Sequence, residues 1–274
     1  MSARLALTET AYAKINLALH VRKRRKDGYH ELETLFAFVD AGDRLTAAPA
    51  ERDELRITGE FVRQLHDPFG NIVAKTLTGL PHGRGWAVTL EKNLPVAAGL
   101  GGGSADAGAI FRMVARTHGL PDDWRDRAAR LGADVPACVE SQTALGLGTG
   151  TDLIPVDSDL SGMPVLLVNP GLSQETGPVF RAWDGIDRGP LPKGDARAMA
   201  LDGRNDLEAP AISLCPAIAD VLAALQSTAP LLARMSGSGA SCFALYERHD
   251  AMREAREMLG SAHPDWWTME GCLR

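Results

Sequence analysis

A chain of 274 residues with 45% hydrophobic side chains has enough apolar material to bury a substantial core, as one large domain or two modest ones. Its 29 Lys and Arg against 35 Asp and Glu give a net charge of −6, which argues against broad nucleic-acid binding and leaves room only for a local anion site. No stretch approaches the roughly twenty apolar residues of a membrane span, and the first ten residues carry no signal or transit pattern. Cys138, Cys215, Cys242 and Cys272 are scattered without CxxC spacing, so neither a zinc site nor a disulfide framework is expected. The expectation is a bacterial-type cytoplasmic protein that binds no nucleic acid and no membrane.

Residues 11–21 alternate Ile15, Leu17, Leu19 and Val21 with Asn16, Ala18 and His20, the period-two signature of a half-buried strand that carries Lys14. The basic run RKRRK at 22–26 closes on Asp27-Gly28, a favoured hairpin turn pair. That run reads either as a solvated hairpin tip or as a positive patch that steers an anionic substrate. Tyr29 and His30 follow, ahead of a second strand marked by Leu32, Leu35, Phe36, Phe38 and Val39. Between 40 and 90 only short apolar bursts remain, at 55–57, 72–80 and 86–90, which predict strands around one helix.

The stretch PVAAGLGGGSADAG at 95–108 has a different character. Gly99, Gly101, Gly102 and Gly103 stand directly before a helical run in which Ile110, Met113 and Val114 recur at helical spacing until Gly119. So many glycines in so few residues cost backbone entropy that a bare turn does not require. Backbone N–H groups turned towards one anion, backed by the positive end of a helix for which Ser104 is the expected N-cap, make a phosphate-binding loop the better reading. The Rossmann pattern fails at Ser104 and at Pro95, no Gly-Lys-Ser/Thr tripeptide supplies a P-loop, and HRD and DFG are both absent.

Further along, a helix is predicted over 121–131, with Trp124, Ala128 and Leu131 on one face and Gly132 as its stop. Asp134 precedes Val135-Pro136 where an N-cap would stand. Glycines at 146–150 and turn residues at 155–162 mark a domain junction, giving the division 1–152 and 153–274. A buried strand at 165–168, a mobile loop over 185–203 and a helix at 217–225 follow. The segment MSGSGASCFALY then joins Gly237 and Gly239 to a strand, before a helix at 251–259 and a closing strand near 266–269.

The glycine stretch resembles the PxxxGLGGGSS/A loop of the GHMP small-molecule kinases, which include galactokinase, homoserine kinase and mevalonate kinase. Within them, AYAKINLAL, KDGYHELETLF and LGADVPACV look like the motifs of the 4-diphosphocytidyl-2-C-methyl-D-erythritol kinases, and the likeness runs from about residue 11 to about 245. The resemblance implies an α+β fold of two domains: an N-terminal ribosomal-protein-like module and a C-terminal ferredoxin-like one, with the active site in the cleft between them. It implies ATP as co-substrate, Mg²⁺ without a dedicated carboxylate site, and a small-molecule acceptor bearing a cytidine diphosphate group, in a monomer or weak homodimer. Lys14 and Asp134 fall on the family's catalytic positions. Pro95, Val96, Ala97, Ala98, Gly99, Leu100, Gly101, Gly102, Gly103, Ser104 and Ala105 fall on its nucleotide loop, and Asn16, Tyr29, His30 and Phe180 on its acceptor-binding positions. Asn71 and Lys92 are expected beside the nucleotide base. Thr149 stands where the family has an aliphatic residue across the cytosine from Phe180. A related kinase such as mevalonate or homoserine kinase, or a nucleotide-binding sensor without catalysis, is the alternative; the first should lack the GYH segment and the second has no need of both Lys14 and Asp134.

Overall fold

The computed structural model of the chain describes residues 6–65 and 70–274. Packing of the backbone divides them into two compact units, interleaved in sequence. The first takes in the described residues up to Ala13, Gly42–Val96 and Gly101–Ser141. The second is made of Lys14–Ala41, Ala97–Leu100 and Gln142–Arg274.

Two long strands contribute to both units, β1 (Leu7–Arg24) and β2 (His30–Ala50). In the first unit they are followed by β3 (Glu54–Thr58), α1 (Ile72–Gly79), β4 (Gly85–Glu91), α2 (Gly102–His118), α3 (Trp124–Leu131) and α4 (Val135–Glu140). Residues 44–50 of β2 pair antiparallel with β4, and β3 runs parallel to β4. Helix α2 buries Ile110, Phe111, Met113 and Val114 completely. Burial of such side chains stabilises by about 1.5–3 kcal/mol each relative to exposure, which is why the helical period is readable in the sequence. Gly108 lets α2 meet α4 at backbone distance, since a Cβ there would run into the Cys138 carbonyl.

In the second unit, residues 34–36 of β2 pair with β5 (Ala144–Leu147), which turns through Gly148 and Gly150 into β6 (Asp152–Pro155). Then come β7 (Pro164–Asn169), α5 (Thr176–Ala182), α6 (Ala196–Asp202), α7 (Glu208–Leu214), α8 (Ala217–Ser227), β8 (Leu232–Met235), β9 (Cys242–Leu245), α9 (His249–Ala262) and β10 (Trp267–Cys272). The last three strands with β7 form an antiparallel sheet in the order β10-β7-β9-β8, with Val168 opposite Cys242 on one side and Thr268 on the other. Leu166 and Val168 of β7, Val221 and Leu225 of α8 and Leu259 of α9 share one apolar core.

Two expectations are corrected here. Strand β1 is not half-buried: residues 13–21 are buried throughout, including Lys14, Asn16 and His20. The polar members are tolerated because they have partners, such as His20, whose Nδ1 meets the Gly189 carbonyl at 3.1 Å while its Nε2 accepts from the Arg204 amide at 3.2 Å. The stretch 185–203 is likewise no free loop. Arg22 binds Asp187 at 2.9 Å, the Leu191 amide donates to Glu33 at 2.8 Å, and α6 occupies its far end.

Candidate active site

The glycine loop is held by its carbonyl groups. Those of Ala97, Ala98 and Leu100 accept from the amides of Gln174, Ser241 and Lys14 at 2.8, 3.0 and 3.0 Å, and that of Gly99 accepts from the Ser236 hydroxyl at 2.8 Å. Among the described residues, no amide from Ala98 to Gly103 donates to a protein acceptor. A loop with its oxygens tied back and its N–H groups left over is a cradle for an anion. Gly99 is required twice over, by a φ of +79° and by the Ser236 carbonyl that a Cβ would strike.

Gly101, at φ 64° and ψ 22°, is the N-cap of α2. Ser104 therefore lies inside the first turn and is not the cap that the sequence predicts, because a left-handed residue must join loop to helix and glycine adopts that conformation without a Cβ penalty.

Beneath the first turn lies a cluster that sequence reasoning missed. The Lys92 ammonium, only 2% exposed, donates to Asp43 and, at 2.9 Å, to Asp106 of α2. Asp43 accepts in addition from the amides of Asn93 and Leu94 at 2.6 and 2.7 Å. One buried ion cluster thus ties the segment entering the loop to the helix leaving it. Burial opposes the charge on Lys92, but Asp106 and Asp43 outweigh it and hold its pKa above the ordinary value. Burial, with Asp43 adding and Lys92 opposing, pushes the Asp106 carboxyl well up. The charge of Lys92, a residue expected beside the nucleotide base, is thus spent inside the protein. Asn71 caps α1, accepting from the Val73 amide at 2.8 Å.

Lys14, 4% exposed, donates from Nζ to Asn16 at 2.8 Å, and Asn16 donates in turn to Thr34 at 2.7 Å. The Asn16 amide donates to Ser236 Oγ at 3.4 Å. Ser236, whose hydroxyl also donates to the Gly99 carbonyl, thereby links Asn16 and through it Lys14 to the middle of the glycine loop, while Thr34 passes the chain on to the Ala18 carbonyl at 2.8 Å. Ser236 lies in a segment whose small, turn-like character was visible while its role was not. Gly237 keeps this junction close, since a Cβ would sit 3.2 Å from the Gly99 carbonyl and 3.3 Å from Asn16 Oδ1. Asp134 belongs to the first unit, in the N-cap position of α4, yet its side chain makes no capping hydrogen bond. The capping role considered for it from sequence is not performed.

His30, Phe180 and Trp183 come together in the second unit. The His30 ring lies 4.9 Å from Phe180 in a tilted stack and 5.7 Å from Trp183 edge-on. Burial, then the neighbouring Arg24 guanidinium, lowers the His30 pKa below the usual imidazole value. Trp183 Nε1 is buried without an acceptor among the described residues. Tyr29 stands apart, 63% exposed at the hairpin tip. Thr149 lies in the β5–β6 turn, where its hydroxyl meets that of Thr151 at 3.3 Å. The basic run is mostly neutralised locally: Arg22 pairs with Glu33 and Asp187, Lys23 with Glu31 and Arg25 with Asp27. That favours the solvated-tip reading over the steering patch.

Among the described residues no group of three or more His, Cys, Asp or Glu is placed to hold a metal ion, and no helix is long and apolar enough to cross a membrane. Among the described residues no disulfide joins the four cysteines.

Comparison with known proteins matches residues 63–142 to the N-terminal domain of GHMP kinases and residues 194–265 to their C-terminal domain. A 4-diphosphocytidyl-2-C-methyl-D-erythritol kinase from Novosphingobium aromaticivorans is 68% identical over 271 residues, covering 98% of this chain and 94% of that protein. A crystal structure of a 4-(cytidine 5'-diphospho)-2C-methyl-D-erythritol kinase superposes with a TM-score of 0.81 at 34% identity, covering 97% of this chain and 99% of that one. A homoserine kinase from Cytophaga hutchinsonii, at 16% identity and a TM-score of 0.68 over 100% of this chain and 96% of its own, shares the fold.

Proposed function

We propose how the site works from one premise: the chain belongs to the 4-diphosphocytidyl-2-C-methyl-D-erythritol kinases of the GHMP kinase family. Its fold is the mixed α+β GHMP kinase fold with two sheets, and its reaction is ATP-dependent phosphorylation of 4-diphosphocytidyl-2-C-methyl-D-erythritol on the methylerythritol phosphate route to isoprenoid precursors. The sequential division 1–152 and 153–274, which keeps each of the two family matches whole, is our reading of the domain organisation.

The γ-phosphate passes to the 2-hydroxyl of the acceptor. Because phosphoryl transfer needs mainly positioning and charge stabilisation, the amides left free along the glycine loop are suited to cradle the phosphates of ATP. Asp134 accepts the proton of the attacking hydroxyl, and Lys14, held by Asn16, offsets the charge of the transferring group. Ser104 is the one hydroxyl side chain in the loop's 95–105 stretch, a donor set that suits an ion carried mainly by phosphate oxygens. Bound Mg²⁺ would supply neutralisation of the nucleotide's negative charge.

One observation carries the choice of acceptor. His30 and Phe180 come from distant parts of the chain to stack 4.9 Å apart, giving the aromatic face and polar edge that a cytosine ring requires. We place the enzyme in the cytoplasm as a monomer or weak homodimer. The test is ADP release with 4-diphosphocytidyl-2-C-methyl-D-erythritol, mevalonate and homoserine as acceptors. Turnover with the first alone is expected; comparable turnover with either of the others would overturn the assignment.

A further inference from the structure

Arg24 is the one residue of the basic run aimed at the aromatic cluster. Its Nε donates to His30 Nε2 at 3.3 Å, while Nη2 reaches the carbonyls of Arg181 and Trp183 at 3.4 Å each. A guanidinium has five donors and no acceptor, and it keeps its proton throughout the working pH range. The nitrogen that receives its hydrogen bond must therefore be the unprotonated one. His30 is then neutral with its proton on Nδ1, and that N–H has no protein acceptor among the described residues. A donor with no protein acceptor, at the edge of an aromatic cluster, is available to an acceptor on a ligand.

We propose that Arg24 is a positioning residue for the acceptor substrate: by occupying His30 Nε2 it fixes the imidazole tautomer, so that Nδ1–H is the donor offered to the acceptor edge of a pyrimidine. The inference rests on the reading of His30 as a base contact. Its physical logic is that of any histidine whose second nitrogen selects what the first can do. Cytosine carries acceptors at its ring nitrogen and carbonyl, whereas an imidazole with the proton on Nε2 would offer them a lone pair and repel them. The charged group facing His30 is Arg24 from β1; the α5 side contributes the rings of Phe180 and Trp183. The guanidinium therefore also disfavours the imidazolium, in the direction that burial already sets.

The experiment is nitrogen-15 NMR of the His30 ring in the substrate-free enzyme, across pH, for the wild type, Arg24→Ala and Arg24→Gln, alongside KM for both substrates. The wild type should show the Nδ1–H tautomer, titrating below the ordinary imidazole value of about 6.5. Arg24→Ala should shift the ring towards Nε2–H, raise its titration point, and raise KM for the cytidyl substrate about five- to tenfold, the factor expected for one ordinary hydrogen bond, with kcat and KM for ATP unchanged. Arg24→Gln keeps an N–H donor without the charge, so it should restore the tautomer and KM while leaving the titration point raised. An Nε2–H tautomer in the wild type would overturn the proposal, as would Arg24→Ala with the tautomer unmoved. If Arg24→Ala moves the tautomer but neither it nor His30→Ala changes KM for the cytidyl substrate, the base-contact reading of His30 fails, and the substrate role of Arg24 with it.

Discussion

The glycine loop and the aromatic cluster are built by opposite means. In the loop the recognising groups are main-chain amides, freed because the carbonyls of Ala97 to Leu100 are tied back into the protein and because Gly101 turns into α2. In the cluster they are side chains, with His30 from the start of β2 meeting Phe180 and Trp183 of the α5 region and oriented by Arg24. Phosphate is met alike by any set of amides, so a backbone cradle suffices. A base has faces and edges that must be met individually, and only placed side chains do that.

The largest expected effect tests whether the chemistry lies outside both regions. Asp134→Asn should lower kcat by about 10²–10⁴ with little change in either KM, because it removes a base without removing binding contacts. Lys14→Met should also lower kcat, and the double variant should lose far less than the product of the single losses if both residues serve one transferring phosphoryl group. A near wild-type pre-steady-state burst in Asp134→Asn would reduce catalysis here to phosphate positioning.

Next comes the support beneath the loop, for which the aromatic cluster has no counterpart. Lys92→Met leaves Asp43 and Asp106 buried without their cation and should destabilise the fold by about 3–5 kcal/mol in urea unfolding. A loss below about 1 kcal/mol, the scale of a surface pair, would mean that the cluster does not hold the loop.

A smaller effect concerns the Asp106 carboxyl. Asp106 is held well above its ordinary value, so the folded chain keeps a proton that the unfolded chain releases once pH passes about 3.9. Its contribution to stability is full below that point and is lost as pH rises towards the folded value. Asp106→Asn should remove this decline, which reaches at most about 1.4 kcal/mol per pH unit, and an unchanged pH profile of the urea midpoint would contradict the raised value.

The same contrast explains what the sequence disclosed. The cradle was legible because its glycines are consecutive and precede a periodic helix; the helix stop at Gly119 and the strands at 54–58 and 164–169 were legible for like reasons. Ser104 misled because glycine, with no side chain to announce it, took the cap. The Asp43–Lys92–Asp106 cluster was hidden because three charged residues far apart in sequence look like three solvated ones until burial joins them. His30 and Phe180 became candidates only through the family resemblance, since no local pattern marks a histidine that will stack on a distant phenylalanine. Arg24 was concealed within a run of like charges whose other members are mostly neutralised on the surface.

The central claim, that backbone reads the phosphates and side chains read the base, is tested most directly by isothermal titration of Gly101→Val and Phe180→Ala with a non-hydrolysable ATP analogue and with the cytidyl substrate. Gly101→Val forces a β-branched residue into the left-handed region and should weaken the ATP analogue at least about tenfold while sparing the cytidyl substrate. Phe180→Ala should do the reverse by about tenfold, within the roughly 1–3 kcal/mol that one stacked base contributes. Equal losses for both ligands in either folded variant would contradict the division.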